Sequence, residues 1–573
     1  MRLNPGVFSS DIVLVRTTRF GDSHDIFIGN FIPARCNSGA PKFIWFRCVG
    51  FNRFDRISHC IGRVGHSADH RSGNLRRLLI PASTAGEVFS SRFGSLRAEH
   101  AKLSSPVESK VGSHLRAVQH RVEDMICQRQ NLVVVGAGIA GLAMAYLYKR
   151  RFPERDVLVL ERNGQGRGSM LRSVGRGLTG RSGGHRMPGF EADHSQVVEL
   201  LGERAALDLY RETVRVSELT DEIIAEENIA CGSRRGYWIM DSNADKFAKL
   251  EDFLAPRRAL QLPEPQLYTG DAFKRQINFS GYDAGLYFPD IASFDSPKFI
   301  RGLADALIRR GGQIISGVEY KGHDRIGAAK LGRRYRIAVG EGYSFYADNL
   351  VLAGGDCLTR KIPSLHRRTF TVYTGRIGVQ LRREDFRCIS PNMTPLSGCD
   401  SNLKNNQNPL DGDFLWFSLQ QDGFLAMGFG GSVGGLTSAG TRREIGRMVA
   451  GVLRELHACA PFLKSAGCRI KAFVGGLNTS TNLLPIVTNL DDQDSVFVIA
   501  AQSGVGLNQS VLLANALVDR FAGNARTFDL LSRFQDDQIM IPTNPVVRQA
   551  SLHALEETFE YGSTPVPGPK TAP

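Results

Sequence analysis

Residues 133–141 read Val-Val-Val-Gly-Ala-Gly-Ile-Ala-Gly, a G-x-G-x-x-G run set between an apolar stretch and a helical one. No other feature limits the fold as strongly. Leu132 to Val135 is a continuous apolar run, as a strand buried on both faces requires. A helical stretch follows from about Ile139 to Lys149, and Val157 to Leu160 is a second apolar run. The three together predict a β-α-β unit. Each glycine has a task in such a unit: Gly136 permits the tight turn, Gly138 lets the backbone approach a pyrophosphate, and Gly141 lets helix and strand pack closely. The first helical N–H groups, at Ile139 and Ala140, and the positive dipole end favour a phosphate. Glu161 closes the second strand, where a carboxylate accepts ribose hydroxyls and repels a 2′-phosphate. The unit therefore predicts a dinucleotide site for FAD or NAD rather than NADP. The motif alone does not separate those two.

Farther along, Ser296 as N-cap and Pro297 at the first helical position predict a helix to about Arg310, with Ile300, Leu303, Ala304, Leu307 and Ile308 on its apolar face. Ile314, Ile315 and Val318 suggest a short strand, and Leu350 to Ala353 another. Residues 412–431 alternate instead, with Phe414, Trp416, Phe424 and Met427, and read as antiparallel strands of a separate sheet.

The motifs that separate FAD from NAD lie outside the β-α-β unit. Thr179-Gly180-Arg181-Ser182-Gly183-Gly184-His185 resembles the S-G-R-N-G-G loop of FAD-dependent oxidoreductases of the D-amino-acid-oxidase-like superfamily. Residues Val496 to Gly506, VFVIAAQSGVG, resemble that family's last strand and flavin loop, with a helix expected from Leu507. Similarity extends through Leu286–Gly312, Ala347–Gly355 (ADNLVLAGG), Gly475–Ile486 (GGLNTSTNLLPI) and Leu531-Ser532-Arg533-Phe534. It spans residues 131–535 and is nearest to gamma-glutamylputrescine-oxidase-like members.

The resemblance implies an α/β fold, α+β overall: a Rossmann-type two-dinucleotide-binding FAD domain with an antiparallel-sheet substrate domain. FAD contacts are expected from Gly136, Gly138, Ile139, Ala140, Gly141, Glu161, Arg181, Ser182, Gly183, Gly184, Val318, Ala353, Gly354, Gly504, Val505, Gly506 and Leu507. Gly506 and Leu507 at a helix N-terminus suit the negative charge of a reduced flavin. The implied reaction is hydride transfer from the carbon beside a neutral amine to the flavin, with electrons passing on to oxygen or another acceptor. Such chemistry names no general base. His185 is the polar candidate for flavin contact, a structural histidine being the alternative. Arg376 is the candidate for a substrate carboxylate, an exposed strand arginine being the alternative, with Tyr373, Trp416 and Phe429 as further lining. Gly475 and Arg181 stand where relatives with covalent flavin carry Cys or His, so non-covalent FAD is expected. Three departures stand out: a longer Gly/Arg-rich stretch at 164–178, Ser182 in place of Asn, and Asn482 in place of Asp.

The expected domains are residues 131–186, 284–370 and 470–535 for FAD, and residues 187–283 and 371–469 for substrate, with 540–573 as a tail. Residues 1–124 show no sustained periodicity and read as a poorly structured basic extension. They hold 18 Lys and Arg against 10 Asp and Glu, which is 8 of the chain's net charge of +14. Met125 stands six residues before Asn131, so the expectation is either a transit or regulatory extension or a segment absent from the mature protein. Without a dense Lys/Arg run, nucleic acid is not an expected partner. Two other functions stay open: an FAD-dependent tRNA-modification enzyme that uses the basic segment, and a degenerate, non-catalytic flavin-binding protein. Ten thinly spread cysteines with no C-x-x-C pair argue against a disulfide scaffold or zinc; Cys36, Cys48 and Cys60, with His59, are the one tempting cluster. No run of about 18 apolar residues predicts a membrane span. A reducing, cytoplasmic setting is expected, with organellar import if residues 1–124 are retained. The oligomeric state is not legible.

Overall fold

Strand Gln130–Val135 is buried on both faces, which is why its sequence does not alternate. Leu132 and Val134 face one core cluster with the helices, while Val133 and Val135 face another with Ile337, Phe345 and Leu358. The computed structural model describes residues 13–20, 23–30, 46–48, 130–164, 174–326, 335–400, 415–433, 449–464 and 470–552, apart from 455, 492–493, 545–546 and 549–550.

The FAD-type sheet runs Gln313–Ser316, Val157–Glu161, Gln130–Val135 and Ser344–Leu352, all parallel, with Val133 opposite both Leu158 and Leu350. The long strand Ser344–Leu352 then divides. Its C-terminal half pairs parallel with Val496–Ala500, and its N-terminal half pairs antiparallel with Tyr335–Val339. Helix Ile139–Arg151 packs between this sheet and helices Ser296–Arg309 and Gly506–Phe521. Its first eleven residues are all buried, so its sequence is apolar around most of the circumference rather than on one stripe.

The second sheet has nine strands and one parallel pair, Leu396–Asp400 with Arg234–Asp241. Its path runs from Ile470–Ser480 through Thr369–Gln380, Phe424–Val433 and Leu415–Leu419, then on to Arg234–Asp241, Ala284–Ser293 and His185–Arg186. Period-two alternation separates its faces. Trp238, Ile377, Phe417 and Met427 enter a core with Phe273, Phe279 and Phe386, whereas Tyr237, Ile239 and Cys399 enter another with Met187, against which Trp416 and Val505 pack.

Several boundaries differ from expectation. Asp295, not Ser296, caps helix Ser296–Arg309 by accepting from Lys298 N. Ser296 is inside the helix, its Oγ 2.7 Å from Ser182 Oγ. Strands Ala284–Ser293, His185–Arg186 and Ile470–Ser480 join the nine-stranded sheet rather than the largely parallel one. An apolar run reads alike in either sheet, and its partner is fixed by contacts remote in sequence. The segment after residue 540 is not all tail: Ile541 and Leu552 are buried against Phe370 and Val372. Near the N-terminus, Val13–Phe20, Ser23–Asn30 and Phe46–Cys48 pair as an antiparallel three-stranded sheet, within a unit of its own covering 1–104. The β-branched runs VLVRTT and DIFI carry that pairing despite interspersed charge. The rest of residues 1–124 and the side chains of the Cys36, Cys48, His59 and Cys60 cluster lie outside the described residues. Among the described residues, Cys231, Cys357, Cys388, Cys399 and Cys459 form no disulfide, and no helix is long and apolar enough to cross a membrane.

Candidate active site

A cavity of about 570 Å³ lies at the C-terminal ends of the parallel strands and extends to the nine-stranded sheet. Gly136, Gly138, Ile139, Ala140, Glu161, Arg181, Ser182, Gly183, Gly184, Val318, Ala353, Gly354, Gly504, Val505, Gly506 and Leu507 all line it, as do His185, Tyr373, Arg376 and Trp416. Gly141 does not. It sits behind the wall, where a Cβ would run into the Gly136 carbonyl, so its part is helix–turn packing. The side chain of Phe429 lies outside the described residues.

The end beside the G-x-G-x-x-G turn is shaped by close backbone approach. Gly136 has φ +110°, and a Cβ there would lie 2.7 Å from the Ala353 carbonyl oxygen. Helix Ile139–Arg151 begins at Gly138 with no side-chain cap and no acid in its first turn, which leaves its N–H groups and dipole for an anion. Glu161 accepts from Ala137 N at 2.9 Å and from Asn163 N at 2.8 Å and Nδ2 at 2.7 Å. These bonds orient the carboxylate and leave acceptor capacity for a hydroxyl. Gly175 to Leu178 line the cavity, so the C-terminal part of the longer 164–178 stretch belongs to the site; residues 165–173 lie outside the described ones.

At the other end, helix Gly506–Phe521 again starts without a side-chain cap or an acid. The loop entering it is strained: Ala501 has φ +53° and Ser503 φ +46°, left-handed values that L side chains rarely adopt. Asn478 fixes this strain, its Oδ1 accepting from Ala501 N at 3.0 Å while its carbonyl accepts from Ser503 N at 3.4 Å. The sequence reading missed Asn478 as a loop anchor, although it lies within the GGLNTS run. It also missed Tyr237 and Phe473 as lining; the period-two pattern of their strands was the available signal. Asn482 donates through Nδ2 to the Phe534 carbonyl at 2.7 Å, a bond an ionised Asp at this place does not make.

His185 donates from Nε2 to the Phe417 carbonyl at 3.0 Å, with Tyr237 and Trp416 edge-on at 5.0 and 5.9 Å. Burial, reinforced by the Arg234 charge, pushes its pKa down to about 4 against the Phe417 bond. The imidazole is therefore neutral, with Nδ1 as acceptor. The unfolded chain takes this proton near 6.5, so unfolding is favoured as pH falls from about 6.5 to 4, by up to about 3 kcal/mol. Urea midpoints of the wild type should drop through that window, and His185→Gln should show a smaller drop. Equal slopes would remove His185 as the cause.

Arg376 lies in the cavity wall, its Cζ 5.7 Å from the Phe424 ring centroid and its buried Nε without a hydrogen-bond partner. Burial, with the nearby Arg181 charge, pushes its pKa down to about 10, partly offset by Asp295. Arg181 stacks on Phe473 with its Cζ 3.9 Å from the ring centroid and donates to the Arg176 and Gly177 carbonyls. Two guanidinium groups thus share one end of the cavity, and neither forms an ion pair with a carboxylate among the described residues. Nor do the described residues contain a His, Cys, Asp and Glu group able to hold a metal.

Residues 131–520 match the DAO family, described as FAD dependent oxidoreductase. Glycine oxidase from Geobacillus kaustophilus superposes with a TM-score of 0.51 at 16% identity, over 68% of this chain and 95% of its own. Glycine oxidase from Bacillus cereus gives 0.52 at 12% identity, over 72% and 99%. Iminodiacetate oxidase from Chelativorans sp. BNC1 gives 0.50 at 16%, over 69% and 95%. At these identities the likeness is one of fold. A probable oxidoreductase of Haemophilus influenzae, OrdL, is 26% identical over 189 residues; that match covers 33% of this chain and 41% of the relative's length.

Proposed function

The chain belongs to the DAO family of FAD-dependent oxidoreductases, and from that membership we propose that it oxidises the C–N bond of a small amine or amino acid bearing a carboxylate. The observation that carries the reading is Arg376, a largely desolvated cation in the wall of the dinucleotide cavity, with Arg181 close by and, among the described residues, no carboxylate paired to either. A largely desolvated guanidinium without an ion pair favours an anionic ligand, and its planar fork suits a carboxylate. Glycine and iminodiacetate, the substrates named for two proteins of similar fold, both place a carboxylate beside an amine. The gamma-glutamylputrescine-oxidase-like subgroup stays our narrower reading within that class.

The residues present fit FAD. A Cβ at Gly136 would fill the cradle, two uncapped helix N-termini face it, and Glu161 is held at the end of its strand. Gly136, Gly138, Ile139, Ala140, Glu161, Val318, Ala353 and Gly354 would hold the nucleotide half. Residues 181–184 and 504–507 would hold the flavin half. When bound, FAD supplies the hydride acceptor. The chain's own part is to bind and orient: Arg376 holds the substrate carboxylate, Tyr373 and Trp416 bound the volume, and neutral His185 adds no charge. We propose that FAD is held without a covalent bond, so acid precipitation should leave a white pellet and a yellow supernatant. A yellow pellet would refute that.

Anaerobic addition of a panel of amino acids, amines and the matching hydroxy acids tests the reaction. Bleaching of the flavin absorbance by amines alone is the expected result. Bleaching by hydroxy acids alone, or by none of the panel, would sink the proposal.

A further inference from the structure

Strand register places Phe473, Arg376, Gly428 and Trp416 side by side on four neighbouring strands. Neighbouring strands lie about 4.8 Å apart, so Arg376 and Trp416 stand about 10 Å apart across a single glycine. Gly428 is absent from the residues with positive φ, so its backbone does not demand glycine. Space does. A Cβ there would fall inside the Trp416 indole, against Cε2, Cζ2 and Nε1. Along its other edge the indole meets the flavin-side loop, where a Cβ on Gly183 would lie 2.9 Å from Trp416 Cε3. His185, tied to the Phe417 carbonyl at 3.0 Å, stands edge-on to the same ring. The indole is thus wedged between two glycines, one in the substrate sheet and one in the loop that lines the dinucleotide cavity.

We infer that Trp416 is the specificity-determining wall of the substrate site, closing the cavity beside Arg376 and restricting the bound molecule to a short chain. Gly183 and Gly428 are the gaps that let the indole stand there. The inference rests on the proposed function for the carboxylate at Arg376, though not for the wall itself. A rigid aromatic wall discriminates by length, since each methylene that a pocket accepts or refuses changes affinity by about tenfold or more. Removal of the indole should therefore alter the ratio between long and short ligands rather than binding in general.

The test uses the FAD-loaded full chain and unreactive carboxylates: acetate, butyrate, hexanoate and phenylacetate. Dissociation constants come from perturbation of the flavin absorbance, so no turnover is needed. In the wild type, affinity should fall from acetate to hexanoate. Trp416→Ala should raise hexanoate and phenylacetate affinity relative to acetate by at least tenfold, with Trp416→Phe between. Gly428→Ala, which displaces the indole without removing it, should shift the same ratio by more than threefold. Should Trp416→Ala fail to fold, Trp416→Phe and Gly428→Ala carry the test. Ratios within twofold of wild type in the folded variants would overturn the inference. If no carboxylate binds any variant, the Arg376 reading fails by itself. The wall is then judged on the same ratio for ethylamine and hexylamine in anaerobic flavin reduction, with the same thresholds.

Discussion

Gly136→Ala is expected to yield a protein that purifies colourless and melts earlier. At φ +110° the backbone lies outside the region an alanine adopts without strain. The new methyl would stand 2.7 Å from the Ala353 carbonyl oxygen and 3.1 Å from Gly354 Cα. Both are backbone atoms at the end of a central strand, so no side-chain rotation relieves the contact. Strain and clash together should cost about 3 kcal/mol or more of stability. Because Ala353 and Gly354 also line the cavity, any relief moves the cradle wall, and FAD affinity should fall by about a hundredfold or more. Gly138→Ala is the control, since its nearest non-neighbour atom is Thr179 Oγ1 at 3.4 Å. Compared as apoproteins, it should keep the wild-type melting temperature while losing flavin, because only the approach of the phosphate is blocked. Stoichiometric flavin in Gly136→Ala at an unchanged melting temperature would contradict the cradle.

The second large effect belongs to Arg376. Arg376→Met should lower kcat/KM for a carboxylate-bearing amine about 10² to 10³-fold, mostly through KM, since a charge-assisted paired bond is lost. An amine without a carboxylate should react as before. Arg376→Lys keeps the charge and loses the fork, and should fall between. In the free enzyme the guanidinium loses its proton near 10, so KM for the carboxylate substrate should climb above that pH while kcat holds. An equal loss on both kinds of substrate would make Arg376 a structural residue.

That the β-α-β glycines and Glu161 would gather at one cavity was legible because local sequence dictates it. Glycines 136, 138 and 141, a strand, a helix and Glu161 fall within one β-α-β unit, and the structure brings all but Gly141 to the cavity surface. The other end of the cavity, for which we propose substrate binding, was legible only in outline. That Trp416, Gly428 and Arg376 form one row depends on the pairing of three strands, two of which lie about forty residues from the third. Residues 381–414, which separate the first of these strands from the other two, carry no signal of that register. Asn478 was missed for a related reason, since its partners Ala501 and Ser503 stand on a different sheet connection. The capping of helix Ser296–Arg309 was misplaced by one residue because Asp295 and Ser296 are both good caps, and only the bond to Ser182 shows which was diverted.

The most direct test of the central claim is the rate of anaerobic flavin bleaching with an amine or amino-acid substrate, protiated against deuterated at the carbon that bears nitrogen. C–N oxidation in this cavity predicts bleaching with a clear primary isotope effect at that carbon, and one imine-derived carbonyl product per flavin. Bleaching without an isotope effect and without a carbonyl product, or no bleaching by any amine in protein that holds full FAD, would contradict it.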